Sequence, residues 1–257
     1  MEMRFYYILC VKREENDFVK SENIPVSEEN ENAVDKRPYV SQAVIKRLPR
    51  YFRYLRELIA EGTMRISSGE LSARMHVTAS QIRQDLNCFG GFGQQGYGYN
   101  VHYLYAKICE ILGVSAGFKA VIIGAGNLGR ALARHTMFAK RGVDVIAMFD
   151  VSEELIGSYI GDIPVLSMDD LETYCRTHPV DIAVFTMPKE AASEIAERLI
   201  HTPVTGIWNF TGKEIDMREH GKVVESVHMG DSLMTLCYEL CRLQESLAED
   251  ASEEIQS

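Results

Sequence analysis

The sequence predicts an α/β protein in which a small helical domain with a glycine-rich hairpin precedes a mostly parallel sheet. Three observations predict it. Apolar residues recur at three-and-four spacing between Ser41 and Glu61, the mark of an amphipathic helix. Five glycines alternate with aromatic residues between Phe89 and Tyr99, which suits a twisted hairpin. From Lys119 onward short apolar runs alternate with helical stretches, and such alternation builds parallel sheets.

The chain has 257 residues, 46% of them hydrophobic, and about 100–200 residues per domain allows one large domain or two modest ones. No apolar run reaches the roughly 20 residues of a membrane helix. The run Phe5–Val11 is apolar but short and lacks a small-residue cleavage site, so a cytoplasmic location is expected. Six cysteines (Cys10, Cys88, Cys109, Cys175, Cys237 and Cys241) lie scattered without a CxxC pair, a pattern of reduced thiols used as packing.

The formal net charge of −10 argues against a nucleic-acid partner only on average. Residues 38–100 carry eight Lys/Arg against four acids, residues 1–37 six against nine, and residues 101–257 thirteen against twenty-four. Phosphate binding needs a local basic face, and the middle segment offers one.

Residues 1–37 read as an extension. The stretch Glu14–Lys36 is polar and acidic, too poor in apolar surface to offset its ordering entropy, so disorder is expected. Residues 38–101 read as a winged-helix domain. The first helix carries Val44, Ile45, Leu48, Phe52, Leu55, Leu58 and Ile59 on one face, and Pro49 either bends it or sets its start. Ser67-Ser68-Gly69-Glu70 has the spacing of a capping box before Leu71–Met75, and Thr78-Ala79-Ser80-Gln81 repeats it before Ile82–Leu86. Two capped short helices around the tight turn His76-Val77 form a helix-turn-helix. Its second helix presents Ser80, Gln81, Arg83 and Gln84 near the N-terminus, where side chains read base edges in a major groove. Lys46, Arg47 and Arg50 supply charge for phosphates, with Gln94 and Gln95 at the tip of the hairpin.

Residues 102–229 read as a Rossmann-like NAD(H)-binding domain. Strand Lys119–Ile123 runs into Gly124-Ala125-Gly126-Asn127-Leu128-Gly129, a GxGxxG turn, followed by a helix with Leu128, Leu132 and Met137 on one side. Gly124 allows the tight turn, Gly126 lets backbone approach a pyrophosphate, and Gly129 lets helix and strand pack closely. The amides and the positive end of the helix dipole then face the phosphates. Strand Val143–Phe149 ends at Asp150, whose carboxylate accepts ribose hydroxyls and repels the extra phosphate of NADP. Further strands are expected at Ile163–Leu166, Asp181–Met187, Val204–Phe210 and Val223–Val227, with helices opening at Ser167 and spanning Glu190–His201. Ligands of such sheets lie off the carboxyl ends of the strands, which puts Thr186, Met187, Pro188, Asn209 and Phe210 near the cofactor.

Residues 230–248 read as a terminal helix ahead of an acidic tail at 249–257. Leu233, Leu236, Cys237, Leu240, Leu243 and Leu247 form a stripe with nothing sequence-local to cover it, so it docks on the body or on a second subunit. Cys237 and Cys241 sit one turn apart but lack two further ligands at metal spacing, and packing is the expected role. A dehydrogenase needs an acid–base residue beside the nicotinamide, and only His228 stands near a strand end. The nucleotide therefore reads as a signal, no catalytic or metal-binding residue is assigned, and no enzymatic activity is expected. An NAD-dependent oxidoreductase, and a DNA-binding protein with an altered or lost effector, stay open as alternatives.

Several motifs together resemble the Rex family of redox-sensing repressors: Ile45-Lys46-Arg47-Leu48-Pro49, Tyr54-Leu55-Arg56, Gln81-Ile82-Arg83-Gln84-Asp85-Leu86, Phe89-Gly90-Gly91-Phe92-Gly93, Gly96–Val101 and the glycine turn. The resemblance covers about residues 40–245. It implies a homodimer whose C-terminal helix swaps onto the partner subunit. It also implies binding to A/T-rich inverted repeats in double-stranded DNA, release by NADH, and weak competition by NAD⁺ that favours the DNA-bound form. By the same resemblance Arg47 and Tyr99 belong to the switch between states, with Tyr99 at the cofactor. Their family partner, an aspartate after the last strand, is replaced by His228, which cannot form the usual ion pair with an arginine. Family members often carry Lys or Arg where Gln94-Gln95 stand. Weaker wing–phosphate contact and an altered, pH-sensitive or damaged switch are expected.

Overall fold

The computed structural model describes residues 40–89, 93–94 and 98–256, without the side chains of residues 93, 94 and 248–256. The extension at 1–37 and the hairpin positions 90–92 and 95–97, Gln95 among them, lie outside the described residues.

Helix α1 (Gln42–Ala60) buries Val44, Leu48, Tyr51, Phe52, Leu55 and Leu58. Pro49 lies inside it rather than at its start. Strand β1 (Arg65–Ile66) leads to α2 (Ser68–Met75), where the Ser67 hydroxyl accepts the Glu70 amide and the Glu70 carboxylate accepts the Ser67 amide. This reciprocal box satisfies two of the donors a helix N-terminus leaves open. His76 ends α2 with φ 51°, the only left-handed non-glycine among the described residues, and so makes the tight turn. In α3 (Ala79–Asn87) the Thr78 hydroxyl accepts the Gln81 amide, but the Gln81 side chain does not return to Thr78. It donates instead to Asp85 at 2.8 Å, so the second capping box is only half made. The Gln81 Nε2–H is drawn to a charged acceptor one turn on, and a side chain extended to Asp85 does not fold back to accept the Thr78 N–H.

Strands β2 (Gly93–Gln94) and β3 (Gly98–Asn100) complete an antiparallel sheet in the order β1-β3-β2, with Tyr99 opposite both Ile66 and Gly93. Gly98 has φ +70°, and a Cβ there would stand 2.7 Å from the Ile66 carbonyl oxygen, so β1 and β3 approach only because it is glycine.

The core around α1 continues past residue 101, where the winged-helix segment read from the sequence ends. Helix α4 (Val101–Ile111), capped by Asn100, packs Val101, Leu104, Ile108 and Cys109 into the same core as α1. Tyr105 stacks on Phe52 at 5.3 Å between ring centroids.

The second core is built on a seven-stranded sheet in the order β10-β9-β8-β4-β5-β7-β6. Its strands are β4 (Phe118–Ile123), β5 (Val143–Asp150), β6 (Tyr159–Ile160), β7 (Ile163–Ser167), β8 (Ile182–Phe185), β9 (Gly206–Asn209) and β10 (Val223–Ser226). All neighbours pair in parallel except β6 with β7. Alternate residues of β4 serve opposite faces: Val121 and Ile123 pack with Phe149 and Phe185, while Ala120 and Ile122 pack with Met148 and Val184.

The expected helix after the glycine turn is two. Helix α5 (Asn127–Arg134) stops at His135, which is extended and accepts the Met137 amide on Nδ1 before α6 (Met137–Lys140) begins. A 3₁₀ turn (Met168–Asp170) leads into α7 (Leu171–Thr177), and α8 (Ala192–Leu199) follows β8. Helix α9 (Met229–Gln256) runs on through the acidic tail.

Candidate functional site

The sheet has a switch point at β4. The chain passes from β4 to β5 and β7 on one side, then starts again at β8 on the other. Crossovers leaving in opposite directions open a crevice at the carboxyl end of β4, the place where parallel sheets hold ligands. The turn Gly124–Gly129 occupies it. Gly124 has φ +101°, and a Cβ there would lie 2.9 Å from the Met187 nitrogen. A Cβ on Gly129 would lie 2.0 Å from the Gly124 carbonyl oxygen, so strand and helix touch only because Gly129 has no side chain. Gly126 faces open space, with nothing within 4 Å of a Cβ, and caps α5 without a side-chain hydrogen bond. The first amides of α5 are thereby left to a ligand, and the geometry suits an anion.

Asp150 stands beside this turn at the tip of β5. One carboxylate oxygen accepts the Ala125 amide at 2.6 Å and the other the Ser152 amide at 2.9 Å. Each oxygen keeps a lone pair, enough for a ribose hydroxyl pair. Thr186 donates to the carbonyls of Ile123 and Gly124 and ties β8 to the turn. Met187 packs on the core and Pro188 is exposed at the mouth. Asn127 is exposed and accepts from Arg130, and Leu128 is half-buried.

Asn209 behaves differently from the reading above. Its amide donates to the Lys213 carbonyl and the Ser226 hydroxyl, and its oxygen accepts from the Thr211 amide and hydroxyl. Fully buried and fully spent, it shapes the loop after β9 rather than offering a group to a ligand. Phe210 packs edge-on against Trp208.

The helix-turn-helix presents Ser80, Arg83 and Gln84 on the exposed face of α3. Arg83 donates to the Ser68 hydroxyl and so tethers α3 to the start of α2. Arg50 donates to the Met75 carbonyl at the end of α2. Lys46 is exposed and lines a cleft of about 530 Å³ with Glu214, Asp216, Arg218 and Glu225 from the loop and strand at the β10 edge.

Arg47 turns inward. Its guanidinium forms a fork on Asp85 at 2.7 Å for both bonds, and Tyr51 donates to the same carboxylate at 2.9 Å. Burial opposes ionisation of Asp85, but hydrogen bonds from Arg47, Gln81 and Tyr51, with the Arg47 charge, outweigh it and hold the carboxyl below its usual range. Burial and the Asp85 bond push the Tyr51 phenol up. The sequence reading missed Asp85 and Tyr51 as partners; the four-residue step from Gln81 to Asp85 was the signal that could have found the first.

The three switch residues implied by the resemblance are not brought together. Arg47 pairs with Asp85, and Tyr99 is buried in the first core. His228 is exposed, its Nε2 3.3 Å from a Glu214 carboxylate oxygen.

Two family models match the chain: "Putative DNA-binding protein N-terminus" over residues 39–87 and "CoA binding domain" over residues 117–212. A redox-sensing transcriptional repressor Rex of Caldicellulosiruptor saccharolyticus is 48% identical over 205 residues, 80% of this chain and 93% of that protein. The chain belongs to the Rex family of redox-sensing transcriptional repressors.

Two solved structures share its architecture. The Rex-family repressor RSP in complex with NAD⁺ and operator DNA superposes with a TM-score of 0.74 at 45% identity, covering 84% of this chain and 99% of that one. RSP in complex with NADH gives 0.75 at 43% identity, covering 82% and 99%. The glycine turn with its uncapped helix fits the dinucleotide that RSP binds, and the Rex relative is named as a repressor rather than an enzyme. Among the described residues no helix is long and apolar enough to cross a membrane, and no group of His, Cys, Asp and Glu is placed to hold a metal.

Proposed function

We propose that this chain represses transcription as a homodimer on an A/T-rich inverted repeat of cytoplasmic DNA, and that NADH releases it. One observation carries the reading. A single chain joins a capped reading helix in a basic segment to an uncapped glycine turn with a carboxylate at the next strand tip. The anions served are different: a duplex backbone at one end and a pyrophosphate at the other. In this reading the turn Gly124–Gly129 and Asp150 hold the dinucleotide, with Thr186, Met187 and Pro188 closing its mouth. Ser80, Gln81, Arg83 and Gln84 face bases, while Lys46 and Arg50 face phosphates. Swapping of α9 onto the partner gives its uncovered leucines a surface.

The dinucleotide acts as a signal. A ligand shifts two arrangements only by its difference in affinity for them, typically about 1–3 kcal/mol. NADH must favour the arrangement in which two reading helices are wrongly spaced for half-sites one helical turn, or a multiple, apart. Operator binding followed by fluorescence anisotropy, with NADH, NAD⁺ and NADPH added in turn, tests this. Release by NADH but not by NADPH is expected, without steady turnover of the nicotinamide. An operator complex indifferent to NADH would refute it.

A further inference from the structure

The carboxylate of Asp85 is fully buried inside a domain proposed to bind a polyanion. An acid on a reading helix repels phosphate, so its presence there calls for a reason. Its surroundings supply one. One oxygen accepts Arg47 Nη2 and Gln81 Nε2, and the other accepts Arg47 Nε and Tyr51 Oη. Four donors fill the four lone-pair sites of the ion. Two of them belong to α1 residue Arg47 and two to side chains on different elements, Tyr51 of α1 and Gln81 at the start of α3.

The consequence falls on Gln81. A glutamine amide reads adenine by donating to N7 and accepting from N6, and a flipped amide cannot do so. Of the two ends of the Gln81 amide only the nitrogen can donate to Asp85, so the carboxylate fixes which end is which. One Nε2–H is spent on Asp85; the second Nε2–H and the carbonyl oxygen remain. That leaves one donor and one acceptor, the pair adenine requires. The Arg47 fork neutralises the acid and locks α3 to α1, so the amide is aimed from a fixed platform. The ion pair thus withdraws Arg47 from the phosphate contacts read from the sequence.

We propose that Asp85 is the positioning residue for sequence readout, holding the Gln81 amide in the orientation that recognises adenine in each half-site. The proposal rests on the DNA-binding reading above.

The test is a double-mutant cycle read as base preference. Wild type, Asp85→Asn, Gln81→Ala and the double variant select from a duplex library with randomised half-sites, and affinities for the selected duplex and its base-swapped version are measured. Asp85→Asn should lose about tenfold in discrimination at one adenine position, within the roughly 1–3 kcal/mol of a bidentate base contact. In the Gln81→Ala background the same change should alter discrimination by less than about twofold, since residues acting as one unit are not additive. Tyr51→Phe removes one donor to Asp85 and leaves Gln81 in place. It should lower the denaturation midpoint while keeping the base preference, and so controls for stability. Full discrimination by Asp85→Asn, or multiplicative losses in the cycle, would overturn the proposal while leaving DNA binding intact. Wild type with no preference for any duplex would overturn both.

Discussion

Replacing Leu236 and Leu243 by glutamate should split the proposed homodimer without unfolding the subunit. Leu233, Leu236, Leu240, Leu243 and Leu247 alternate by three and four along α9, the seam of a helix that packs on another surface. Each is 48–60% exposed in the single chain. Burying a whole leucine contributes about 1.5–3 kcal/mol, so covering the exposed half is worth about 1 kcal/mol per residue and about 5 kcal/mol for the stripe. The double substitution forfeits about 2 kcal/mol of that and buries two carboxylates without partners, at about 1–3 kcal/mol each. A total of at least about 4 kcal/mol weakens the dimer about a thousandfold. Because both sites are exposed in the single chain, subunit stability should change by no more than about 0.5 kcal/mol. Sedimentation equilibrium reads the first quantity and thermal unfolding of the subunit the second. A double variant that sediments as wild type at the same concentration would refute the reasoning, as would a wild-type monomer that binds operator at full affinity.

Other expectations are narrower. Asp150→Asn removes a charge-assisted acceptor worth about 1.5–3 kcal/mol, so calorimetry should find NADH bound about 10–150-fold more weakly and the bias against NADPH reduced. Gly129→Ala drives a Cβ to 2.0 Å from a carbonyl oxygen and should cost about 1–3 kcal/mol of stability, whereas Gly126→Ala meets nothing within 4 Å and should fold normally but lose nucleotide. His228→Asp supplies the carboxylate that the resemblance implies after the last strand, and the NADH concentration that releases operator should change; an unchanged value would mean His228 is not part of the switch. The Asp85 carboxyl is held below the unfolded value of about 3.9. The unfolded state therefore binds the proton more readily, and the stabilisation is complete above that value and lost as pH falls through the lower folded one. Acid titration followed by circular dichroism should show the Asp85→Asn variant with a shallower loss of stability below about pH 4.

Much of the fold was legible because its signals are local. The Ser67–Glu70 box, the glycine turn and the apolar strand runs each depend on residues within one turn or one strand, and the structure repeats them within a residue or two. What escaped depends on which side chains meet in three dimensions, whether near or far along the chain. The first core takes in α4 because its face fits α1, and nothing near residue 101 announces that. The helix after Gly129 breaks at His135 because an imidazole takes the Met137 amide, which hydrophobic spacing cannot reveal. Arg47 looked like a phosphate ligand as long as Asp85, 38 positions away, was counted only as an opposing charge. Asn209 looked like a cofactor group because strand ends face ligands, but four local hydrogen bonds consume it.

The uneven charge gives the molecule a direction. Residues 38–100 are basic in excess, while residues 101–257 carry thirteen Lys/Arg against twenty-four acids. A duplex is drawn to the first segment and repelled by the second, so only an approach along the helix-turn-helix gains from counterion release. Lys46 belongs to both sides of this division. It lies on the helix that carries the Arg47–Asp85 platform, and it faces Glu214, Asp216 and Glu225 across the cleft at the β10 edge. If Lys46 faces phosphate as proposed, a movement that widened or closed that cleft would change what it offers. In the proposed reading, a dinucleotide at the β4 switch point needs to bias the operator-binding arrangement by about 1–3 kcal/mol to change operator occupancy several-fold or more.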